Sequence, residues 1–387
     1  RTTTRRARSV KRSNKGTTLF GSVDTWLKCI GEVRRRRVPP PDRRVRFHLV
    51  GRDGFSPNLW IVTTSPLLGL PNMEADRRRV EDALLTAVRT PDAYLTEIAS
   101  HLISAGGKRL RPVMTIVASC VGTDGPAIEE AILGGISCEL VHLGSLYHDD
   151  VMDESTTRRG VDTVNAKWGN LQAILAGDFL LARASEIAAG LGTEVAGLLA
   201  RTIGRLCEGQ IEELRHTYNV ARPVDSYLTS IDGKTASLYS TAARIGGIVA
   251  GHDRATIDLL TDYGTAYGMV FQIVDDVLDL TATDEELGKP AGHDMEEGVY
   301  TLPVLHTLAA GGAAASELNA ILGKPLDQVE REKVLGIVRS NGGVQSAIER
   351  AKDFVAQAES ICDRLPQGAA TDAMRESTAQ LLATVIR

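Results

Sequence analysis

Two copies of the motif DDxxD lie within long apolar stretches of this chain. The first is in YHDDVMDESTTRRG at residues 147–160, and the second is in FQIVDDVLDL at residues 271–280. Carboxylates in an apolar helix are costly unless a cation or a hydrogen bond compensates them. The fold must therefore supply compensation for six aspartates: Asp149, Asp150, Asp153, Asp275, Asp276 and Asp279.

The apolar residues around both motifs recur at helical spacing. The stretches 125–153 and 254–282 each end with a copy of DDxxD, so each motif is predicted to close a long helix. Several helical stretches are apolar on more than one face, which indicates the interior of a bundle, and no convincing strand alternation occurs. The sequence predicts an all-α fold, with about ten or more helices in one domain over residues 74–387.

The first part of the chain differs from the rest in charge. Residues 1–48 carry 15 Lys and Arg against 3 Asp and Glu, a balance of +12, so the net charge of −5 leaves −17 for the remainder. We predict that residues 1–73 form a basic, disordered extension. Three interpretations stay open for it: an uninformative tail from a misplaced start, an Arg-rich organelle transit peptide, or a contact with an anionic surface.

Composition excludes some classes of protein. No run of about 18 uncharged apolar residues occurs, so a membrane span is not expected. The five cysteines show no CxxC spacing, which argues against a zinc site or a disulfide framework. The Arg, Ala and Gly content favours a bacterial cytoplasmic protein, whereas the Arg-rich start keeps a mitochondrial location open.

The spacing within DDxxD indicates a metal site. Residues i and i+4 of a helix share a face, so Asp149 and Asp153 point the same way with Asp150 beside them, and the second motif repeats this arrangement. Oxygen ligands without nearby Cys favour Mg²⁺, which usually shares its coordination with water and phosphate oxygens. A solvated helix end would explain one copy, but two copies favour several Mg²⁺ ions that bridge to a substrate diphosphate.

Basic residues suited to phosphate lie elsewhere in the sequence. In GGKRLRP, two glycines permit a tight turn from which Lys108, Arg109 and Arg111 project. A single basic pair is more often a solvated surface feature. Further candidates follow the first motif or lie in GKTASL and LGKPAGHD: Arg158, Arg159, Lys234 and Lys289.

Together these motifs resemble the ordered signature of the trans-isoprenyl diphosphate synthases, the polyprenyl synthetase family. The resemblance covers residues 74–387 and rests on GGKRLRP, HDDVMDESTTRRG, GKTASL, FQIVDDVLD and GKPAGHDMEEG. It implies the isoprenoid synthase fold, with helices around a central cavity, a homodimer, and Mg²⁺-dependent condensation of isopentenyl diphosphate with an allylic diphosphate.

The resemblance also implies roles for individual residues. The six motif aspartates would bind metal and, with Lys234, Thr235 and Gln272, take part in catalysis. Isopentenyl diphosphate would be held by Lys108, Arg111, His142 and Arg159. The allylic diphosphate would be held by Arg158, Lys234, Thr235, Gln272 and Lys289. The chain departs from the family at Val299, where a basic residue is common.

The helix before the first motif bears on product length. One turn rises about 5.4 Å, close to one extended isoprene unit, and the residues five and four positions before Asp149 are the small Gly144 and Ser145. Short-chain members commonly have bulky aromatic residues there. An open tunnel floor predicts a medium- or long-chain product (the C30–C50 class) for quinone side chains, unless bulky residues of another helix close the tunnel.

Other functions remain to be distinguished. A terpene cyclase would use DDxxD and Mg²⁺ but would not need GGKRLRP or a second diphosphate site. A non-catalytic subunit of a heteromeric synthase would not need all six aspartates. A short-chain farnesyl or geranylgeranyl diphosphate synthase, or a catalytic subunit that needs a partner, stays open. No nucleic acid partner is expected.

Overall fold

The structure is a computed structural model, and it describes residues 65–123, 125–283 and 291–386. Helices dominate this part of the chain, as predicted. The helices are α1 (Met73–Ala87), α2 (Ala93–Ser104), α3 (Leu110–Ser119), α4 (Glu129–Met152), α5 (Val164–Trp168), α6 (Asn170–Gly190), α7 (Thr193–Arg215), α8 (Val224–Ile231), α9 (Ser237–Val249), α10 (Arg254–Thr281), α11 (His293–Glu296), α12 (Leu302–Ala309), α13 (Gly312–Ile321), α14 (Gln328–Ser340), α15 (Gly343–Cys362) and α16 (Ala369–Ala383).

The centre of the bundle is built from α3, α4, α9 and α10. Small residues let these helices approach closely, because a Cβ added at Gly135 of α4 would lie 2.8 Å from Pro112 Cα of α3. A Cβ at Gly264 of α10 would lie 2.7 Å from Ser240 Cα of α9. The long helices α4 and α10 are thus held in the core, and the two DDxxD motifs lie at their C-terminal ends as predicted.

The helical region between α7 and α10 is interrupted. A single π-helical turn, Asp232–Ala236, separates α8 from α9. Here Gly233 lies against α7, since a Cβ on Gly233 would be 2.8 Å from Arg205 O and 3.0 Å from Gly209 Cα. Isolated π-helical turns are often found at functional sites, and this turn contains Lys234 and Thr235.

The connection after α4 contains a small hairpin. Strands β1 (Thr157–Arg158) and β2 (Val161–Asp162) pair in an antiparallel fashion, with Thr157 opposite Asp162. Arg159 (φ 55°) and Gly160 (φ 76°) form the turn in left-handed conformations. The hairpin returns the chain towards α4, so Arg158 and Arg159 lie near the first motif.

The folded region begins earlier than residue 74. A 3₁₀ turn, Pro66–Gly69, precedes α1 and contacts α16, and its Leu67 is fully buried. Ser65 lies within hydrogen-bond distance of Ser377 in α16, at 3.4 Å. The predicted boundary between extension and domain therefore lies too late in the chain, while the basic run Arg34–Arg37 falls outside the described residues.

Among the residues that the structure describes, no helix is both long and apolar enough to cross a bilayer.

Candidate functional site

The first aspartate motif presents its carboxylates in different directions. Asp150 is fully buried and accepts a hydrogen bond from Arg158 Nε of the hairpin, at 2.5 Å. Asp153 is the exposed C-cap of α4, and Asp149 is half-buried on the helix face that it shares with Asp153. Asp150 thus faces the hairpin, whereas Asp149 and Asp153 share a helix face, and the role of all three as metal ligands stays a prediction.

The carboxylates of the second motif also differ in burial. Asp275 is exposed. Asp276 is buried, and its two oxygens accept hydrogen bonds from Tyr227 OH at 2.5 Å and from Gln272 Nε2 at 2.8 Å. Asp279 is also buried, one turn beyond Asp275. Both oxygens of Asp276 are thus engaged by neighbouring side chains, and the role of the three aspartates as metal ligands stays a prediction.

The acidic residues repel one another. Partial desolvation of the exposed Asp153 by the surrounding protein, together with the nearby charges of Glu297 and Asp149, raises its pKa to about 6. Burial raises the pKa of Asp149 as well, with Lys234 and Arg158 acting in the opposite direction. This crowding of carboxylates from α4 and the segment after α11 fits a site for divalent cations, which would relieve the repulsion.

The acidic residues do not form a complete cage for an ion. In the described ranges, no group of three His, Cys, Asp or Glu side chains is arranged to hold one metal ion. Mg²⁺ ordinarily binds through one or two carboxylates and completes its octahedron with water and substrate phosphates. The arrangement therefore fits a cation that is shared between the protein and a diphosphate.

Lys234 projects from the π-helical turn towards these carboxylates. Its Nζ lies 2.7 Å from Glu213 Oε1 of α7. Burial lowers the pKa of Lys234, but Glu213, Asp149 and Asp153 outweigh it, so the pKa is raised and the side chain stays charged. One cation thus lies within electrostatic reach of the first motif, where a diphosphate would need it.

Thr235 and Gln272, both predicted for the allylic site, are in contact. Thr235 Oγ1 donates to Gln272 Oε1 at 2.7 Å, and Gln272 in turn donates to Asp276. These contacts join the π-helical turn to α10.

A second set of basic residues comes from α3, the turn before it and the hairpin. Arg111 lies 4.8 Å above the ring of Tyr239. Burial lowers the pKa of Lys108, with Asp275 acting against it. Arg159 Nη1 donates to the carbonyls of Leu102, at 3.1 Å, and Gly106.

His142 lies among these cations. Its pKa is held well below 6.5, first by burial and then by the charges of Arg111, Arg159, Arg158 and Arg109. A neutral imidazole can donate one hydrogen bond without adding charge. The structure thus brings together Arg111, His142 and Arg159, three of the four residues predicted for isopentenyl diphosphate, while Lys108 lies within electrostatic reach of Asp275.

Arg109 does not project from the GGKRLRP turn as expected. It has left-handed backbone angles (φ 52°) and its side chain is buried. It forms ion pairs with Glu81 of α1 at 2.7 Å and with Glu139 of α4 at 3.1 Å. Arg109 therefore fixes the turn from inside, because three carboxylate and carbonyl contacts hold it, while Lys108 and Arg111 on either side are directed elsewhere.

Gly144 does not border open space. A Cβ at this position would lie 3.1 Å from Gly177 O and 3.2 Å from Leu181 Cγ, both in α6. The proposed open floor at Gly144 is therefore incorrect, because α6 fills that side of α4. Ser145 is half-buried, and its hydroxyl donates to His142 O at 2.9 Å.

Two other residues named in the sequence analysis follow the second motif along the chain. Lys289 falls outside the described residues. Val299, at the position where the family often has a basic residue, is half-buried and its backbone N–H donates to Asp294 O at 2.8 Å.

Sequence reasoning missed Glu139, Glu213 and Tyr227. Glu139 and Tyr227 lie in stretches whose spacing predicts apolar helices. No sequence pattern distinguishes a single buried acid or tyrosine with a functional role. Glu213 belongs to the pair Glu212-Glu213 in an amphipathic helix, where acids usually face solvent. The one signal in the sequence was that Glu139 is an acidic residue in a helix that has no polar face.

Comparisons with known proteins identify the family of this chain. The sequence model of the polyprenyl synthetase family matches residues 92–338. The chain belongs to this family. It is therefore a prenyltransferase, a polyprenyl diphosphate synthase, which uses prenyl diphosphate substrates and a divalent metal.

Individual family members are similar over most of their length. Nonaprenyl diphosphate synthase of Mycobacterium tuberculosis is 40% identical over 280 residues, which cover 72% of this chain and 82% of the relative. Heptaprenyl diphosphate synthase component 2 of Geobacillus stearothermophilus is 37% identical, covering 78% of this chain and 93% of the relative.

Solved structures of family members have the same fold. Heptaprenyl diphosphate synthase of Staphylococcus aureus superposes with a TM-score of 0.76 and 32% identity, covering 81% of this chain and 99% of the other. Polyprenyl synthase of Caulobacter crescentus, complexed with calcium and isoprenyl diphosphate, gives a TM-score of 0.76 and 31% identity, covering 82% and 97%. The predicted isoprenoid synthase fold is confirmed.

Proposed function

We propose that this enzyme is a trans-polyprenyl diphosphate synthase that condenses isopentenyl diphosphate head-to-tail with an allylic diphosphate, farnesyl or geranylgeranyl, to give a medium- or long-chain product of the C30–C50 class. The observation that carries the proposal is the presence of two sets of cations on different elements of the fold. Lys234 lies beside the carboxylates of the first motif, whereas Arg111 and Arg159 act on a neutral His142. Each of these two sets can bind one of the two substrate diphosphates.

The allylic diphosphate is assigned to the acidic side of the site. Lys234 supplies a charge there, Arg158 lies on the hairpin beside Asp150, and Mg²⁺ is the proposed ion. Asp149, Asp153, Asp275 and Asp279 are the residues that would hold it. Bound Mg²⁺ would supply positive charge to the diphosphate as it departs.

Isopentenyl diphosphate is assigned to the other group of cations. Lys108, Arg111 and Arg159 supply the charge, and two of them are fixed before substrate arrives: Arg159 by carbonyl groups of α2 and the following turn, Arg111 by the ring of Tyr239. Preorganised cations stabilise a diphosphate without paying for reorganisation at the time of reaction.

The proposed reaction begins with ionisation of the allylic substrate. The cationic side chains stabilise the negative charge on the departing diphosphate, and an allylic cation remains. The double bond of isopentenyl diphosphate then adds to this cation, and a proton leaves to the released diphosphate. Thr235 and Gln272 offer oxygen dipoles near the positive centre, and the buried rings of Tyr239, Tyr267 and the half-buried Phe271 help to exclude water.

The medium or long product length is supported by the relatives. Their names specify nonaprenyl, heptaprenyl and octaprenyl products, and such chains suit quinone side chains. A short-chain alternative has support as well, since geranylgeranyl pyrophosphate synthase of Corynebacterium glutamicum is 37% identical with a TM-score of 0.72, covering 81% of this chain and 98% of the other.

Assembly and location are further parts of the proposal. Exposed leucines and isoleucines on α6 and α7, among them Leu171, Leu175 and Ile211, support a homodimer through these helices. The relative named as component 2 keeps a heteromer open. A cytoplasmic location, with a domain that follows a basic N-terminal extension, completes the proposal.

The direct test is an incubation of purified protein with labelled isopentenyl diphosphate, Mg²⁺ and geranyl, farnesyl or geranylgeranyl diphosphate in turn. The dephosphorylated products are separated by chromatography. We expect a ladder that ends well beyond twenty carbons. A product that stops at fifteen or twenty carbons would establish the short-chain alternative, and no product, even with a candidate partner subunit added, would refute the proposed function.

A further inference from the structure

Four side chains connect α8, the π-helical turn and α10 into a closed ring of contacts. Tyr227 OH donates to Asp276 Oδ2 at 2.5 Å, and Gln272 Nε2 donates to Asp276 Oδ1 at 2.8 Å. Thr235 Oγ1 donates to Gln272 Oε1 at 2.7 Å. Because Tyr227 and Thr235 belong to consecutive helical segments, and Gln272 and Asp276 lie one turn apart in α10, the ring is closed through the backbone.

The tyrosine at the start of this ring is itself held in place. Tyr227 is 2% exposed, and the guanidinium of Arg222 lies 5.7 Å from the centre of its ring. Arg222 donates to Ser230 Oγ at 2.7 Å and to Tyr300 O at 3.4 Å. The buried ring of Tyr227 is therefore fixed between Arg222 and Asp276, and it has little freedom to move. Its hydroxyl is available only to Asp276.

The ring determines which way each hydrogen points. Burial raises the pKa of Asp276 well above its usual range, while the hydrogen bonds from Tyr227 and Gln272 act in the opposite direction. With Asp276 ionised, the carboxylate can only accept, and this orients the Gln272 amide with its N–H₂ towards Asp276 and its oxygen towards Thr235. The Thr235 hydroxyl hydrogen is then committed to Gln272. Only the lone pairs of Thr235 Oγ1 remain for a substrate, and lone pairs stabilise a positive centre.

We propose that Tyr227 is a positioning residue for the condensation, because it anchors Asp276 and, through Gln272, orients the Thr235 oxygen towards the allylic cation. This inference rests on the proposed function. Tyr227 does not touch the substrate itself. It acts on the step in which positive charge develops, and it has no part in holding either diphosphate before that step.

The test compares two buried tyrosines. Tyr227→Phe removes the hydroxyl that anchors Asp276. Tyr263→Phe is the matched control, since Tyr263 is fully buried in α10 and its hydroxyl donates to Met374 O at 2.6 Å. We expect Tyr227→Phe to lower kcat roughly tenfold, because a Thr235 oxygen that is no longer held in position stabilises the allylic cation less, with KM for both diphosphates within about threefold. Tyr263→Phe should lower thermal stability by an amount similar to that of Tyr227→Phe, but it should leave kcat unchanged.

A double-mutant cycle separates positioning from general support. Thr235→Val removes the oxygen on which Tyr227 is proposed to act. If Tyr227 acts through Thr235, then Tyr227→Phe should lower kcat little further in the Thr235→Val background. If the kcat of the double variant fell by the product of the two single effects, the two residues would act independently, and the proposal would be overturned.

A binding measurement gives a readout besides turnover. The probe is an analogue of the allylic diphosphate in which a positively charged ammonium nitrogen replaces the carbon that becomes positive. The reference is an unreactive analogue of the same substrate without that positive charge, called the neutral analogue here. Tyr227→Phe should weaken binding of the ammonium analogue roughly tenfold and leave the neutral analogue unchanged. Equal effects on both analogues would contradict the proposal.

Two further results keep the outcomes distinct. If Tyr227→Phe does not fold, Gln272→Met breaks the same ring one contact later and carries the same expectation for the ammonium analogue. If the wild type makes no prenyl diphosphate, the proposed function fails. If the wild type is active and Tyr227→Phe behaves like Tyr263→Phe, only the inference about Tyr227 fails.

Discussion

Lys234 Nζ lies 2.7 Å from Glu213 Oε1, so the cation assigned to the allylic diphosphate already has an anionic partner in the substrate-free structure. Glu213 lies on α7, one turn beyond the glycine that packs against the π-helical turn. The same helix therefore fixes both the backbone and the charge of Lys234. A diphosphate that binds here must compete with Glu213 or share the lysine with it.

The two lysines should affect different substrates. Lys234→Gln is expected to raise KM for the allylic diphosphate roughly tenfold or more, because a charge-assisted contact to a diphosphate is lost. Lys108→Gln should raise KM for isopentenyl diphosphate by a similar factor. Steady-state kinetics with each substrate varied in turn measures both.

An exposed lysine provides the control for these changes. Lys324 is paired with Glu330 at the surface, and Lys324→Gln should change neither KM. If Lys234→Gln raised KM for isopentenyl diphosphate alone, the assignment of the two diphosphate sites would have to be exchanged.

The first aspartate motif should be essential for turnover. Asp149→Ala is expected to lower kcat by on the order of 10³ or more, since several kcal/mol of metal-assisted charge stabilisation would be lost. The helical circular dichroism spectrum should be unchanged. Asp353→Ala, at an exposed position of α15, is the control and should retain full activity. Activity of Asp149→Ala within threefold of wild type would exclude the proposed metal site.

The buried ion pair of Arg109 should matter for stability. Arg109→Met leaves Glu139 buried without its partner, and we expect the free energy of unfolding to fall by about 3–5 kcal/mol. Equilibrium denaturation in urea measures this loss. Arg109→Met combined with Glu139→Gln should recover part of it, because the uncompensated charge is then removed; a double variant no more stable than Arg109→Met would contradict this explanation.

Product length should respond to Ser145 rather than to Gly144. Ser145→Phe places a bulky ring at a half-buried position of α4 and should shorten the products in the labelled-substrate assay. Gly144→Phe would overlap Leu181 and the backbone of Gly177, so it should lower stability by about 1–3 kcal/mol or more. Unchanged products from a folded, active Ser145→Phe enzyme would show that the floor is formed by other residues.

His142 should make stability depend on pH. Its folded-state pKa lies well below 6.5, so below pH 6.5 the unfolded chain binds a proton that the folded protein does not. The folded state is therefore destabilised as pH falls below 6.5, by up to about 1.4 kcal/mol per pH unit from this group. His142→Gln should have a shallower decline in the free energy of unfolding between pH 6.5 and 5. An equal decline in both proteins would show that His142 is not buried as a neutral group.

The sequence was most informative where residues recur in a pattern. Helical periodicity and the two DDxxD spacings predicted the all-α bundle and the positions of both motifs, and the ordered motifs indicated the family. Patterns on one helix do not show what a neighbouring helix presents. The inward turn of Arg109 depends on Glu81 and Glu139, and the filled space beside Gly144 depends on Leu181, so these features required the structure.

The same limit applies within the motifs. Helical geometry placed Asp150 and Asp276 beside their neighbours, but their engagement by Arg158 and Tyr227 arises from segments that are distant in the sequence or folded back by a hairpin. Their spacing alone could not distinguish a carboxylate that faces the substrate from one that faces the protein.

The π-helical turn Asp232–Ala236 makes the site sensitive to the number of residues in the chain. Each residue of a regular helix advances the side-chain direction by about 100°. Deleting one residue between Tyr227 and Lys234 would let α8 and α9 merge into an uninterrupted α-helix, and Lys234 and Thr235 would point away from Glu213 and Gln272. A one-residue gap at this point in an alignment of related sequences would therefore mark a change of active-site geometry, even where every side chain is identical.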